Sequence, residues 1–131
     1  TDKGELYILD AGNFRVQVLD KEGNYLREWG QVGNGLGHFA RPRSLDVDID
    51  GNVYVSDASF LNVQVFDSSG KLLLPIGLRS HIDNNGFFSL IAGIAVDETK
   101  RLYVIDQAFK KIEVYKALSE AEGKQLLLLN K

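Results

Sequence analysis

The sequence predicts an all-β chain arranged as a β-propeller of four-stranded blades, with an incomplete ring. Three observations predict it. Residues 51–67, Gly-Asn-Val-Tyr-Val-Ser-Asp-Ala-Ser-Phe-Leu-Asn-Val-Gln-Val-Phe-Asp, have an earlier copy at 4–20 and a later one at 100–116. Tyr7, Tyr54 and Tyr103 stand 47 and 49 residues apart, a period that suits a propeller blade and not a helical repeat. β-Branched and aromatic residues dominate the periodic segments and glycine recurs between them, so helix signals are nearly absent.

The elements follow in order. Residues 6–9 and 16–19 are apolar or alternating and are separated by the turn-forming stretch 11–15, which reads as a two-strand hairpin. A tight turn follows, Asp20-Lys-Glu-Gly23 in the first copy and Asp67-Ser-Ser-Gly70 in the second, and then a strand at 25–29 or 72–76. Longer connections, 30–38 and 77–87, lead into blocks that align without a gap: Phe39-Ala-Arg-Pro-Arg-Ser-Leu-Asp-Val-Asp48 and Phe88-Ser-Leu-Ile-Ala-Gly-Ile-Ala-Val-Asp97. Each block supplies a strand that turns straight into the next copy. The best-preserved repeat is thus four strands, 44–49, 52–57, 62–67 and 71–76. In the third copy only 117–122 suits a helical turn, and 125–129, with its four leucines, is strand-sized.

This division gives blade A at 4–29, lacking its inner strand, blade B at 44–76 and blade C at 93–129, about 2.75 blades. Closed propellers have about four to eight. The chain is therefore expected to be completed by further blades of a longer polypeptide or by another chain, because an open arc exposes apolar sheet.

Composition narrows the chemistry. The 131 residues carry a net charge of -3 with no block of Lys or Arg, which disfavours nucleic acid. There is no Cys, which excludes thiolate chemistry and disulfides, and His38 and His81 cannot form a histidine metal cluster without carboxylates. No apolar run approaches the length of a membrane span, and no cofactor motif is evident.

Phe39-x-x-Pro42-Arg43-Ser44-Leu45-x-Val47-Asp48, Gly51-Asn52-Val53-Tyr54-Val55-x-Asp57 and Asn62-Val63-Gln64-Val65-Phe66-Asp67 resemble the NHL repeat, and Asp10-Ala-Gly-Asn-Phe-Arg-Val-Gln-Val18 is closer still. The resemblance covers practically the whole chain. Phe60-Leu61-Asn62 and Phe109-Lys110-Lys111 depart from the Asn-x-Arg turn kept at Asn13-Phe14-Arg15. The resemblance implies a six-bladed propeller and, for bacterial members, frequent export to the periplasm or cell surface. It implies no single activity, since NHL-like propellers include protein-binding and RNA-binding modules, sensor domains and a peptide-amidating lyase.

Several residues invite a functional reading. Asp10, Asp57 and Asp106 end the second strand of every blade, and their recurrence favours acceptance of turn hydrogen bonds over ligand binding. Asp46, Asp48, Asp50 and Asp57 match most of a calcium loop, although the repeat register makes Asp50-Gly51 a hairpin turn. Asp46 lies on an innermost strand, where pairing with Arg43 or hydration in the channel is expected. The run Gly30-x-x-Gly33-x-Gly35-x-Gly37 lacks the helix and Lys of a phosphate cradle. His38 beside Arg41 and Arg43 is the most reactive-looking cluster, but no partner nucleophile is evident.

The turns between strands two and three and the inter-blade connections share one face of a propeller, which gathers Phe14, Phe60, Phe109, His38, Arg41 and His81. The expected function is a non-catalytic protein-interaction scaffold that uses this face. The alternative is a segment of a metal-dependent propeller enzyme, peptide-amidating lyase-like or lactonase-like, with His38, Arg43 and Asp46 at the channel mouth. RNA binding would rest on Arg15, Arg41, Lys110 and Lys111, too few for a basic face.

Overall fold

A computed structural model describes residues 1–129. Three antiparallel sheets follow one another along the chain. The first has strands β1 (Leu6–Asp10), β2 (Arg15–Leu19) and β3 (Tyr25–Trp29). The second has β4 (Pro42–Val47), β5 (Val53–Asp57), β6 (Asn62–Phe66) and β7 (Leu72–Ile76). A short parallel pair, β8 (Leu78–Arg79) with β9 (Phe87–Phe88), stiffens the connection to the third sheet. That sheet has β10 (Ile91–Val96), β11 (Arg101–Asp106) and β12 (Lys111–Lys116), and helix α1 (Glu120–Leu129) follows it. The chain is an incomplete β-propeller, and its sheets are consecutive blades.

The turns show why the repeat keeps its acids. In Asp20–Gly23, Asp48–Gly51 and Asp67–Gly70 the glycine N–H donates to the aspartate carbonyl at 3.0 Å, with the glycine at a φ of 84° to 91°. The aspartate carboxylate meanwhile accepts the main-chain N–H groups two and four residues on. Asp97 builds the same turn with Lys100 in the glycine place at a φ of 62°, a backbone state that costs a side-chain residue about 1 kcal/mol.

Two apolar layers hold the sheets together. Val16 from the first sheet meets Phe39, Val53, Val55 and Phe66, with Trp29 tilted against Phe66 at 5.9 Å between centroids. Tyr54, Leu61, Val63 and Val65 meet Phe88, Ile91, Leu102 and Val104 in the second layer. β5 and most of β6 are therefore buried on both faces, as expected of a blade between blades. Gly30 and Gly77, at φ of 104° and 102°, let the rings of Phe39 and Phe88 lie where a Cβ would stand, at 2.6 Å.

The fourth strand expected at 125–129 is not formed. Those residues belong to α1, where Ser119 and Glu122 make a reciprocal cap: the Glu122 N–H donates to Ser119 Oγ at 3.2 Å, and the Ser119 N–H to Glu122 Oε2 at 2.9 Å. A Lys124–Glu120 pair one turn apart adds to it. The leucines that suit an edge strand suit a helix equally well, and the Ser119 cap supplies a start that a strand reading overlooks. No α1 residue is buried, and no described helix is long and apolar enough to cross a membrane.

Candidate functional site

The recurring acids at the ends of second strands are structural. Asp57 is fully buried, and its carboxylate accepts N–H groups from Ala40 and Arg41 before β4 and from Ser59 and Phe60 after β5. Asp106 is fully buried too and accepts the N–H groups of Ser89, Leu90, Ala108 and Phe109. Burial pushes its pKa up, but the four donors outweigh that and hold it below the usual carboxylate range. Asp10 differs: it is partly exposed and takes the side chains of Asn13 and Arg15.

The four acids of the calcium-like loop do not converge. Asp48 is spent on its turn and on the Tyr54 hydroxyl, and burial with this carboxylate pushes the Tyr54 pKa up to about 12. Asp50 pairs with Lys100, Asp57 serves the inter-blade loop, and Asp46 faces the third sheet. Among the described residues no three His, Asp or Glu gather as a metal set. Their places in the hairpin explain it: Asp46 is in β4, Asp48 and Asp50 belong to the turn that follows, and Asp57 stands at the far end of β5.

Asp46 does not pair with Arg43 either. Its Oδ2 accepts the Val96 N–H at 2.7 Å and its Oδ1 the Val47 N–H at 2.8 Å. Arg43 stands exposed at a bulge in β4. The His38 cluster also dissolves: the imidazole turns toward Gln31, 2.7 Å away, and lies over Gly33, where no Cβ would fit, while Arg41 and Arg43 are exposed.

The inter-blade connections and the turns after β5 and β11 do share one face. Ala58 donates to the Arg41 carbonyl at 2.9 Å, and the Arg79 guanidinium donates to the Ser59 carbonyl. Phe14, Phe60 and Phe109 are all half-buried. They are not three equivalent tips: the left-handed turn position is taken by Phe14, Leu61 and Lys110, at φ of 57°, 55° and 54°. Phe109 lies beneath Lys111 Nζ, 5.2 Å from the ring centroid. His81 is exposed on the second connection.

The apolar groups most open to solvent on this face escaped sequence reasoning. Val32 and Leu36 on the first connection are 65% and 68% exposed, and Leu78 and Ile82 on the second are 65% and 77% exposed. The available signal was their presence in connections that are otherwise polar and glycine-rich. The connections themselves are pinned: Gly37 N–H donates to Gln64 Oε1 at 2.8 Å, and at the matching place Gly86 N–H donates to the Glu113 carboxylate. At the opposite end a cleft of about 1050 Å³ is bordered by all three sheets, with Glu5, Leu6, Arg27, Asp46, Asp50 and Asp97 in its lining.

No protein-family model and no curated protein matches the sequence. Solved structures do. A streptogramin B lyase superposes with a TM-score of 0.58 at 15% identity, over 92% of this chain and 40% of that one. Virginiamycin B lyase from Staphylococcus aureus, solved with quinupristin, superposes with a TM-score of 0.56 at 14% identity, over 94% of this chain and 41% of that one. At such identity the likeness shows the propeller fold. The chain spans about two fifths of the length of these lyases.

Proposed function

We propose that this arc is a segment of an NHL-like propeller that binds a protein partner through its connection face and performs no chemistry of its own. The observation that carries this reading is the paired exposure of Val32 and Leu36 on one connection and Leu78 and Ile82 on the next. Four aliphatic side chains held on pinned loops lose little entropy on binding and bury apolar area when covered. The carboxylates with catalytic potential support it from the other side, since Asp46, Asp48, Asp57 and Asp106 are occupied by backbone donors. Phe60, Phe109, His38, Arg41 and His81 lie around these aliphatics as secondary contacts. The test compares recovery of bound proteins by the wild-type chain and by a Leu36→Asp, Ile82→Asp variant. Loss of specific partners with an unchanged circular dichroism spectrum is expected, and identical recovery overturns the reading.

A second reading takes the chain as part of a propeller enzyme. It rests on the fold likeness to two lyases and on the acid-edged cleft at the end opposite the connections. The described residues of this arc do not gather as a metal set, so a metal centre built on them would need ligands from other blades. Elemental analysis of the intact ring separates the two readings. A stoichiometric divalent ion favours the enzyme, and a metal-free ring favours the binding module.

A further inference from the structure

Charge is divided unevenly between the two ends of the blades. The protein carries a net charge of -3, yet at the connection end the described carboxylates are already engaged. Asp10 and Glu28 pair with Arg15, and Asp83 and Glu113 pair with Lys111. Asp57 and Asp106 are buried on main-chain N–H groups. Arg41, Arg43, Arg79 and Lys110 are exposed at this end, and none of them has a carboxylate partner among the described residues. Most of the other acids stand in the turns at the opposite end, Asp20–Gly23, Asp48–Gly51, Asp67–Gly70 and Asp97–Lys100.

Two of these cations are fixed beside one turn of the second blade. The Asp57 carboxylate accepts the Arg41 N–H, and the Arg41 carbonyl accepts the Ala58 N–H at 2.9 Å. The Arg79 guanidinium donates one N–H to the Ser59 carbonyl. Arg43 stands at the bulge in β4, a distortion that re-aims a side chain out of the sheet. The gapless alignment puts Leu90 at the place of Arg41 and Ala92 at that of Arg43. A blade folds with either, so these arginines answer no need of the repeat.

The uncovered aliphatics share this surface, with Val32 and Leu36 on the connection before Arg41 and with Leu78 and Ile82 on the connection that holds Arg79. A single-stranded nucleic acid would set its phosphates on the arginines but needs open aromatic faces for its bases. Phe14, Phe60 and Phe109 are half-buried, and the groups most open to solvent are aliphatic. An acidic polypeptide matches both the charge and the apolar surface.

We propose that the partner's docking segment is an acidic stretch interleaved with aliphatic residues, an inference that rests on the protein-binding reading above. Its carboxylates meet Arg41, Arg43 and Arg79, whose planar guanidinium groups accept a carboxylate on two N–H groups at once. Its leucines, isoleucines or valines cover Val32, Leu36, Leu78 and Ile82.

The test uses the complete ring of blades. Random dodecapeptides displayed on phage are selected against it, and the enriched peptides are titrated by fluorescence anisotropy. Enrichment of Asp and Glu beside Leu, Ile and Val is expected. An Arg41→Glu, Arg79→Glu variant should weaken binding at least about tenfold, since like charges then face each other. Lys71→Glu, the same reversal at the opposite end, should leave affinity within about twofold. The proposal is overturned by failure to enrich any peptide, by enriched peptides without an excess of acids, by equal affinity in the arginine variant, or by an equal loss in Lys71→Glu. Tight binding of oligouridylate that the arginine variant abolishes also overturns it, in favour of nucleic acid. A Leu36→Asp, Ile82→Asp variant separates the two readings. If it loses the peptides while the arginine variant keeps them, only the acidic partner falls; if it keeps them, the aliphatic docking face falls as well.

Discussion

The carboxylate of Asp46 accepts the main-chain N–H of Val96 at 2.7 Å, joining the innermost strands of two adjacent blades. Ser44 Oγ accepts the Ile94 N–H two residues away, at 3.4 Å. Innermost strands converge at the propeller axis and cannot pair as neighbours in one sheet, so side-chain acceptors satisfy the inward N–H groups.

Asp46→Ala leaves the Val96 N–H without its acceptor. Amide exchange at Val96 should quicken, and stability should fall by about 1 to 2 kcal/mol. Asp46→Asn, which keeps an acceptor oxygen, should recover part of the loss. Exchange followed by nuclear magnetic resonance, together with a urea titration, checks both.

The equivalent aspartates should differ sharply in their contribution. Asp57→Ala strips four partly buried N–H groups of their acceptor and should cost about 3 kcal/mol. Asp10→Ala removes partly exposed side-chain contacts and should lower stability far less. Thermal melts of the two variants side by side read the contrast.

Acid should unfold the protein through its carboxylates. Burial raises the pKa of Asp106 and Glu113, but backbone N–H groups at Asp106, and Lys111, Tyr115 and Gly86 at Glu113, hold both below their ordinary values. A folded-state pKa below the unfolded one adds stability that is complete above the unfolded pKa and is lost as pH falls through the folded one. The urea midpoint should therefore stay level down to about pH 4.5 and fall steeply below about pH 4. Asp106→Asn should start lower at neutral pH and decline less.

The α1 cap should be separable from the sheets. Ser119→Ala removes the Oγ acceptor for Glu122 and should lower helix stability by about 1 kcal/mol. The ellipticity at 222 nm should fall while the melting temperature stays unchanged, because α1 buries none of its residues.

Repetition made most of the fold legible. Three copies of the Tyr-x-x-Asp stretch, with turn glycines at 23, 51 and 70, located ten strands to within a few residues, since alternation and turn chemistry are local properties of the chain. The structural role of Asp57 and Asp106 was legible for the same reason: a residue that recurs in every blade answers a need that recurs in every blade. The 125–129 segment was not legible, because a run of leucines carries no period and the competing Ser119–Glu122 cap wins locally.

The candidate site divides along the same line. The sequence by itself determined the blade repeat and the order of its strands. Tertiary structure alone decided that Asp46 reaches Val96 and not Arg43, that His38 folds onto Gly33, and that Val32, Leu36, Leu78 and Ile82 remain uncovered. The physical reason is distance along the chain. Val96 lies 50 residues from Asp46, and which side chains are covered depends on how whole sheets lean together, a relation that no local pattern encodes.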